Sequence, residues 1–169
     1  MTYQRFEDLP VWQDAIRLAE GCEDFILSAK DRITWSKRDQ IDRASLSVSN
    51  NIAEGFERGT TNELLAFLYI ARGSAGEVRS MLCFFERRPA LQNFKSQISD
   101  LKSIAESCSR QIRAWADSLQ NSDIKGQRHL TDKGRRGNES KKRAEEFHKQ
   151  LNVSLPPGHP ARRDFKSQI

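Results

Sequence analysis

Apolar residues recur every three or four positions in four separate stretches of this chain, the spacing that lines one face of an α-helix. In the first stretch, about Pro10 to Ala29, the stripe is Trp12, Ala15, Ala19, Cys22, Ile26 and Ala29, widened by Leu18 and Phe25. Pro10 suits a first helical turn, where its missing N–H would be unpaired anyway, and Asp8 stands ready to cap it. The second stretch, roughly Ser36 to Phe56, carries Ile41, Ala44 or Ser45, Val48, Ile52 and Phe56, with Ser36 and Asp39 as its capping pair. Its middle is unusually polar, crowded with Ser45, Ser47, Ser49, Asn50 and Asn51.

The third stretch opens on Thr60-Thr61-Asn62-Glu63, a capping box in which Thr and Glu three residues apart satisfy free N–H groups at a helix start. Leu64, Phe67, Leu68, Ala71, Ala75, Val78, Leu82 and Phe85 follow as its core stripe. Gly73 and Gly76 each cost about 1 kcal/mol relative to Ala inside a helix, and close approach of a neighbouring helix is the expected compensation. After Pro89 the fourth stretch, about Ala90 to Leu119, has the most regular pattern: Phe94, Ile98, Leu101, Ala105, Cys108, Ile112, Trp115, Leu119. Four helices of this length joined by short loops predict an all-α, antiparallel up-down-up-down four-helix bundle. Nowhere does a strand-like alternation compete. Trp12, Phe25, Trp35 and Phe84 are candidates for an outer contact face, because so small a bundle cannot bury them all.

Beyond Gln120 the stripe stops. The expected organisation is a bundle over residues 1–120 and a basic, mostly disordered C-terminal tail over 121–169, rich in Gly and Pro and poor in large apolar residues. Within it, Glu139 to Leu151 pairs opposite charges four apart and reads as a marginal helix. The word Phe94-Lys95-Ser96-Gln97-Ile98 recurs as the last five residues, Phe165 to Ile169, and no physical account of the repeat is at hand.

Charge sharpens this division. The formal net charge is +5, yet residues 1–120 hold 16 Lys and Arg against 17 Asp and Glu, while residues 121–169 hold 12 against 6. A near-neutral body with a basic arm suggests a polyanionic partner. Charged residues make up 30% of the chain. The longest apolar run, Leu64 to Ala71, is far shorter than the roughly 20 residues a membrane helix needs. No signal-peptide core follows Met1 to Pro10, so cytoplasmic residence without membrane contact is expected. Cys22, Cys83 and Cys108 lack the paired spacing of a zinc or redox motif, and Cys22 and Cys108 fall on core stripes.

Catalytic chemistry finds little to work with. His129, His148 and His159 all lie in the tail, and no serine has an obvious base beside it. No phosphate-cradling glycine loop and no Glu-x-x-His pair is present. Glu54, Glu63 and Glu77 could meet near one end of the bundle, but they read better as structural partners of Asn50, Asn51, Ser74 and Arg58 than as a metal or acid–base site. The expectation is a protein without catalytic residues, metal or cofactor.

The run Asn51-Ile52-Ala53-Glu54-Gly55-Phe56-x-Arg58, followed by Glu63, Phe67-Leu68, Ile70-Ala71 and Gly73-Ser74-x-x-Glu77, resembles the signature of the 23S rRNA intervening-sequence proteins. The opening Phe6-x-Asp8-Leu9-x-Val11-Trp12-x-x-Ala15-x-x-Leu18-Ala19 resembles that family's start, and the likeness covers most of residues 5–119. The tail from Asn121 has no counterpart in its short members. The resemblance implies a bundle that assembles into a homo-oligomer, typically a homopentameric ring. It also implies kinship with the accessory variability protein of diversity-generating retroelements, which works with a reverse transcriptase and its template RNA. Asn51, Glu54, Gly55, Arg58, Glu63, Ser74 and Glu77 are then signature residues with structural roles.

The expected function is that of an RNA-binding accessory protein whose partners are structured RNA and an enzyme such as a reverse transcriptase. The candidate phosphate contacts are Arg72, Arg79, Lys95, Lys102, Arg110 and Arg113 on outer helix faces, and Arg135, Arg136, Lys141, Lys142 and Arg143 on the tail. The competing expectation is a structural scaffold of the same family that binds no nucleic acid.

Overall fold

The computed structural model describes residues 3–121 together with Arg143, Glu146, Phe147, Lys149, Gln150 and Val153. The chain divides into two units, Met1–Arg128 and His129–Ile169, and each is described by itself. In the second unit every described residue is helical and exposed. The remaining tail positions, including Arg135, Arg136, Lys141, Lys142, the three histidines and the second Phe-Lys-Ser-Gln-Ile, lie outside the described residues.

The first unit is an all-α four-helix bundle: α1 (Pro10–Ala29), α2 (Trp35–Glu57), α3 (Thr61–Glu86) and α4 (Lys95–Gln120), with no strand among the described residues. Short 3-10 turns, Phe6–Asp8, Lys30–Arg32 and Pro89–Phe94, lead into α1, α2 and α4. Each helix packs on its successor and α4 closes back onto α1. Short connections force neighbours antiparallel, so one end of the bundle gathers the α1–α2 and α3–α4 connections and the other gathers the α2–α3 connection with the start of α1 and the end of α4.

The core stripe of α1 is Val11, Ala15, Leu18, Cys22, Phe25 and Ala29, rotated from the expected one. Leu18 and Phe25 take the centre, while Trp12 and Ile26 are only partly buried at its edges. This rotation removes more apolar surface from water than burying Ala19 would. On α4, Ala116 is fully covered where Trp115 was expected, and Phe94, Trp115 and Leu119 pack against the rim. Phe67 is likewise half-buried, and Thr61 joins the α3 stripe. The polar middle of α2 is absorbed by its own backbone: Ser45 Oγ donates to the Asp42 carbonyl at 2.9 Å and Ser49 Oγ to the Leu46 carbonyl at 3.0 Å. Buried hydroxyls satisfied in this way cost little.

Two helix starts differ from expectation. Leu9, not Asp8, occupies the cap position of α1, and Thr34, two residues before the expected Ser36, precedes α2; neither supplies a side-chain cap. Asp8 is used up in its own 3-10 turn, and Ser36 and Asp39 lie within α2. The Thr60 cap holds: its Oγ1 accepts the Glu63 N–H at 3.3 Å and donates to Glu63 Oε2 at 2.7 Å.

The glycines reverse one expectation. A Cβ on Gly73 or Gly76 would meet nothing within 4 Å, so these two do not admit a neighbouring helix of this chain. The tight approaches are elsewhere. A Cβ on Gly21 would stand 2.7 Å from Leu101 Cδ2, and one on Gly55 would stand 2.7 Å from Phe67 Cβ. Gly76→Ala should therefore gain about 0.5–1 kcal/mol from helix propensity alone, read as a higher midpoint in urea. An unchanged or lower midpoint would show that this open face is occupied in solution.

Cys22 and Cys108 are fully buried, and burial pushes both thiols up to about 12. Their protonated form is favoured in the folded state, so this contribution to stability is complete below about pH 9 and is lost as pH climbs toward 12. Denaturation midpoints between pH 8 and pH 11 should fall, and a Cys22→Ala, Cys108→Ala variant should fall less steeply over the same window.

Candidate nucleic-acid interface

The residues expected as a signature, Asn51, Glu54, Gly55, Arg58, Glu63, Ser74 and Glu77, lie on α2, α3 and their connection. Gly55 lets α2 approach Leu64 and Phe67 of α3, and Arg58 closes that end by pairing with Glu54 Oε1 at 2.5 Å while its guanidinium lies 5.1 Å above the Phe67 ring. Midway, Asn51 Nδ2 donates to the Ser47 carbonyl at 2.7 Å and to Ser47 Oγ at 2.9 Å, and Ser47 Oγ meets Ser74 Oγ at 2.9 Å. Farther along, Gln40 Nε2 donates to Glu77 Oε1 at 3.1 Å. Glu54, Glu63 and Glu77 therefore each have a different partner and do not converge. Asn51 turns to Ser47 rather than to a carboxylate. Among the described residues no group of three or more His, Cys, Asp and Glu comes together to hold a metal ion. This seam holds helices in register.

The expected cations on the helix faces are not equivalent. Lys102 Nζ binds Glu86 Oε2 at 2.7 Å, Arg110 pairs with Glu106 at 2.9 Å and Arg113 with Asp117 at 3.6 Å. The hydrogen bond from Lys102 lowers the Glu86 carboxyl below its ordinary range, and the same bond raises Lys102. Arg72, Arg79 and Lys95 make no ion pair among the described residues, although Arg72 is half-buried. Arg143 is exposed on a helical stretch of the second unit.

A second group of cations includes the expected Lys95 and six that were not expected. The end of the bundle formed by residues 30–39 and 84–95 holds seven Lys and Arg against three Asp and Glu. None of the seven (Lys30, Arg32, Lys37, Arg38, Arg87, Arg88, Lys95) makes an ion pair among the described residues. Of the nine other cations between residues 1 and 120, seven do. The opposite end, residues 3–12, 54–63 and 112–121, holds three Lys and Arg against six Asp and Glu. The near-neutral bundle is thus polar end to end. Only the topology brings these loop residues together, since some fifty positions separate the two connections along the chain.

Aromatic rings punctuate the basic end. Trp35, at the first position of α2, is 71% exposed and Phe84 is 44% exposed. Lys37 Nζ lies 5.9 Å and Arg88 Cζ 5.7 Å from the Phe84 ring, and Arg32 Cζ lies 5.4 Å from that of Phe94. Beside Trp35 runs an open groove of about 460 Å³ between α2 and α3, lined by Ser36, Gln40, Ser47 and Ser74 among others. Phe25, the other aromatic expected outside, is fully buried, and Trp12 is half-buried against Phe6 at 5.2 Å.

The sequence model of the 23S rRNA-intervening sequence protein family matches residues 7–114. The chain belongs to that family. The match spans all four helices apart from the last turns of α4 and stops short of the tail. Neither curated proteins nor solved structures yield a match to the chain. The matched range of the 23S rRNA-intervening sequence protein family includes the whole α2–α3 seam. No helix among the described residues is long and apolar enough to cross a membrane.

Proposed function

We propose that this member of the family is a non-enzymatic, homo-oligomeric accessory protein of the cytoplasm that binds structured RNA and a partner enzyme. The observation that carries the reading is the charge asymmetry: residues 121–169 hold 12 Lys and Arg against 6 Asp and Glu, beside a bundle of 16 against 17. An arm of this kind makes phosphate contacts that are salt-sensitive and poor in sequence preference. Five arms on one pentameric ring would raise the effective affinity by multivalency without any new contact. Resemblance to the retroelement accessory protein makes a reverse transcriptase the enzyme to test first. A scaffold that binds only protein is the second reading, favoured by the ion pairs that occupy Lys102, Arg110 and Arg113.

The test is a salt series of binding to a folded RNA by the full chain and by a variant with Arg135, Arg136, Lys141, Lys142 and Arg143 all changed to Gln. Losing five phosphate contacts should reduce the slope of log affinity against log salt by about 4. An unchanged slope would remove the tail from the RNA-binding surface.

A further inference from the structure

We infer that the basic end of the bundle binds unpaired RNA, with Trp35 and Phe84 as stacking platforms and Lys37, Arg88 and Arg32 as phosphate contacts. The inference rests on the RNA-binding reading above and deepens it, placing a second contact on the folded body and naming the form of RNA it takes.

Three observations converge on it. First, the cations there have no carboxylate partner among the described residues. Elsewhere in the bundle seven of nine cations stand beside carboxylates, whereas at this end seven stand without an ion pair, and two of the three acids within these stretches are engaged by cations outside the group: Asp39 by Arg43 at 2.9 Å and Glu86 by Lys102 at 2.7 Å. Like charges concentrated on one face repel, and an anion docking there relieves that repulsion.

Second, two exposed rings, Trp35 and Phe84, lie among these cations. Lys37 and Arg88 both stand over the Phe84 ring, so a base that stacks there displaces a cation from the ring and leaves it beside the base's own phosphate. Trp35, two residues before Lys37, presents its indole ring to solvent. Alternating rings and cations are how unpaired strands are held, because every base has a π-face and every nucleotide a phosphate. A duplex hides its base faces and gains nothing from the rings.

Third, the open groove beside Trp35 is lined by the hydroxyls of Ser36, Ser47 and Ser74 and the amide of Gln40, together with the carboxylates of Asp39 and Glu77 and the guanidinium of Arg43, so a base edge entering it meets polar groups and its phosphate must stay outside on the cations. A base that enters it exchanges hydrogen bonds with the Ser47–Ser74 and Gln40–Glu77 pairs. An acidic protein segment would satisfy the cations but would leave the rings unused, which favours nucleic acid over peptide.

The experiment titrates the full chain with a labelled oligoadenylate of about a dozen nucleotides and, separately, with an RNA duplex of similar charge. Trp35→Ala with Phe84→Ala should weaken the single strand by roughly tenfold or more and leave the duplex unchanged, at unaltered helical circular dichroism. Lys37→Glu with Arg88→Glu should weaken both. If the ring variant binds the single strand like the wild type while the tail variant loses binding, the basic end is not the site and the RNA-binding reading stands. If the wild type binds neither probe, both readings fall. If the Lys37, Arg88 variant changes the mass of the assembly and not RNA affinity, the basic end meets the acidic end of another copy and the inference is overturned.

Discussion

Phe25→Ala is expected to destabilise the bundle by about 3–5 kcal/mol, the largest single effect foreseen for this chain. Phe25 is fully buried, and its ring centroid lies 5.6 Å from that of Phe85 and 5.8 Å from that of Phe94. One side chain thereby joins α1, the end of α3 and the turn that starts α4. Truncation removes the transfer free energy of the ring and leaves a cavity that cannot collapse, because its other walls belong to three separate elements. Urea denaturation should show a lower midpoint with an unchanged slope. Phe25→Leu, which keeps most of the volume, should cost less than half as much. A loss below about 1 kcal/mol for the alanine would mean that the aromatic cluster does not organise this end of the core. Protein concentration must be held fixed, since assembly of copies stabilises by mass action.

Gly55→Val should cost about 3 kcal/mol, because the helix contact at this position has no room for a side chain. A Cβ there would lie 2.7 Å from Phe67 Cβ, 3.2 Å from Leu64 Cδ1 and 3.4 Å from the Leu64 carbonyl oxygen. Phe67 Cβ is tied to the α3 backbone and cannot swing aside, so α2 and α3 must separate. That separation would also disturb the Ser47–Ser74 hydroxyl contact farther along the seam. Gly55 and Gly76 both lie inside helices, and both are poor helix formers in isolation. Their predicted responses differ in sign because one faces a neighbour and the other faces open space. Equal responses at the two positions would contradict this packing.

The fold was legible because periodicity is local. Ile98, Leu101, Ala105, Cys108 and Ile112 need only their own spacing to declare an inward face, and all five are buried. The exact rotation of α1 was not legible, since Trp12 and Ile26 fit a helical stripe as well as Val11 and Phe25 do. Which stripe wins depends on what the other three helices offer. The Gly73–Gly76 patch misled for a related reason: a small-residue spacing shows that close approach is possible, not which glycine is approached. The candidate interface was half legible. Trp35 and Phe84 stood out as aromatics too many for so small a core, and both are exposed. Lys102 could not be told from Lys95 by position on the helix, because its partner Glu86 comes from another element. Lys30, Arg32, Lys37, Arg87 and Arg88 become one surface only when two loops remote in sequence are brought to the same end.

The most direct measurement is binding of a folded RNA to the full chain across a salt series, with the mass of the free protein determined in parallel. The account predicts a multimer whose affinity falls steeply with salt, by several powers of ten between low and moderate ionic strength if six or more phosphates are engaged. A multimer that binds no RNA at moderate salt would contradict it and leave a protein scaffold in its place.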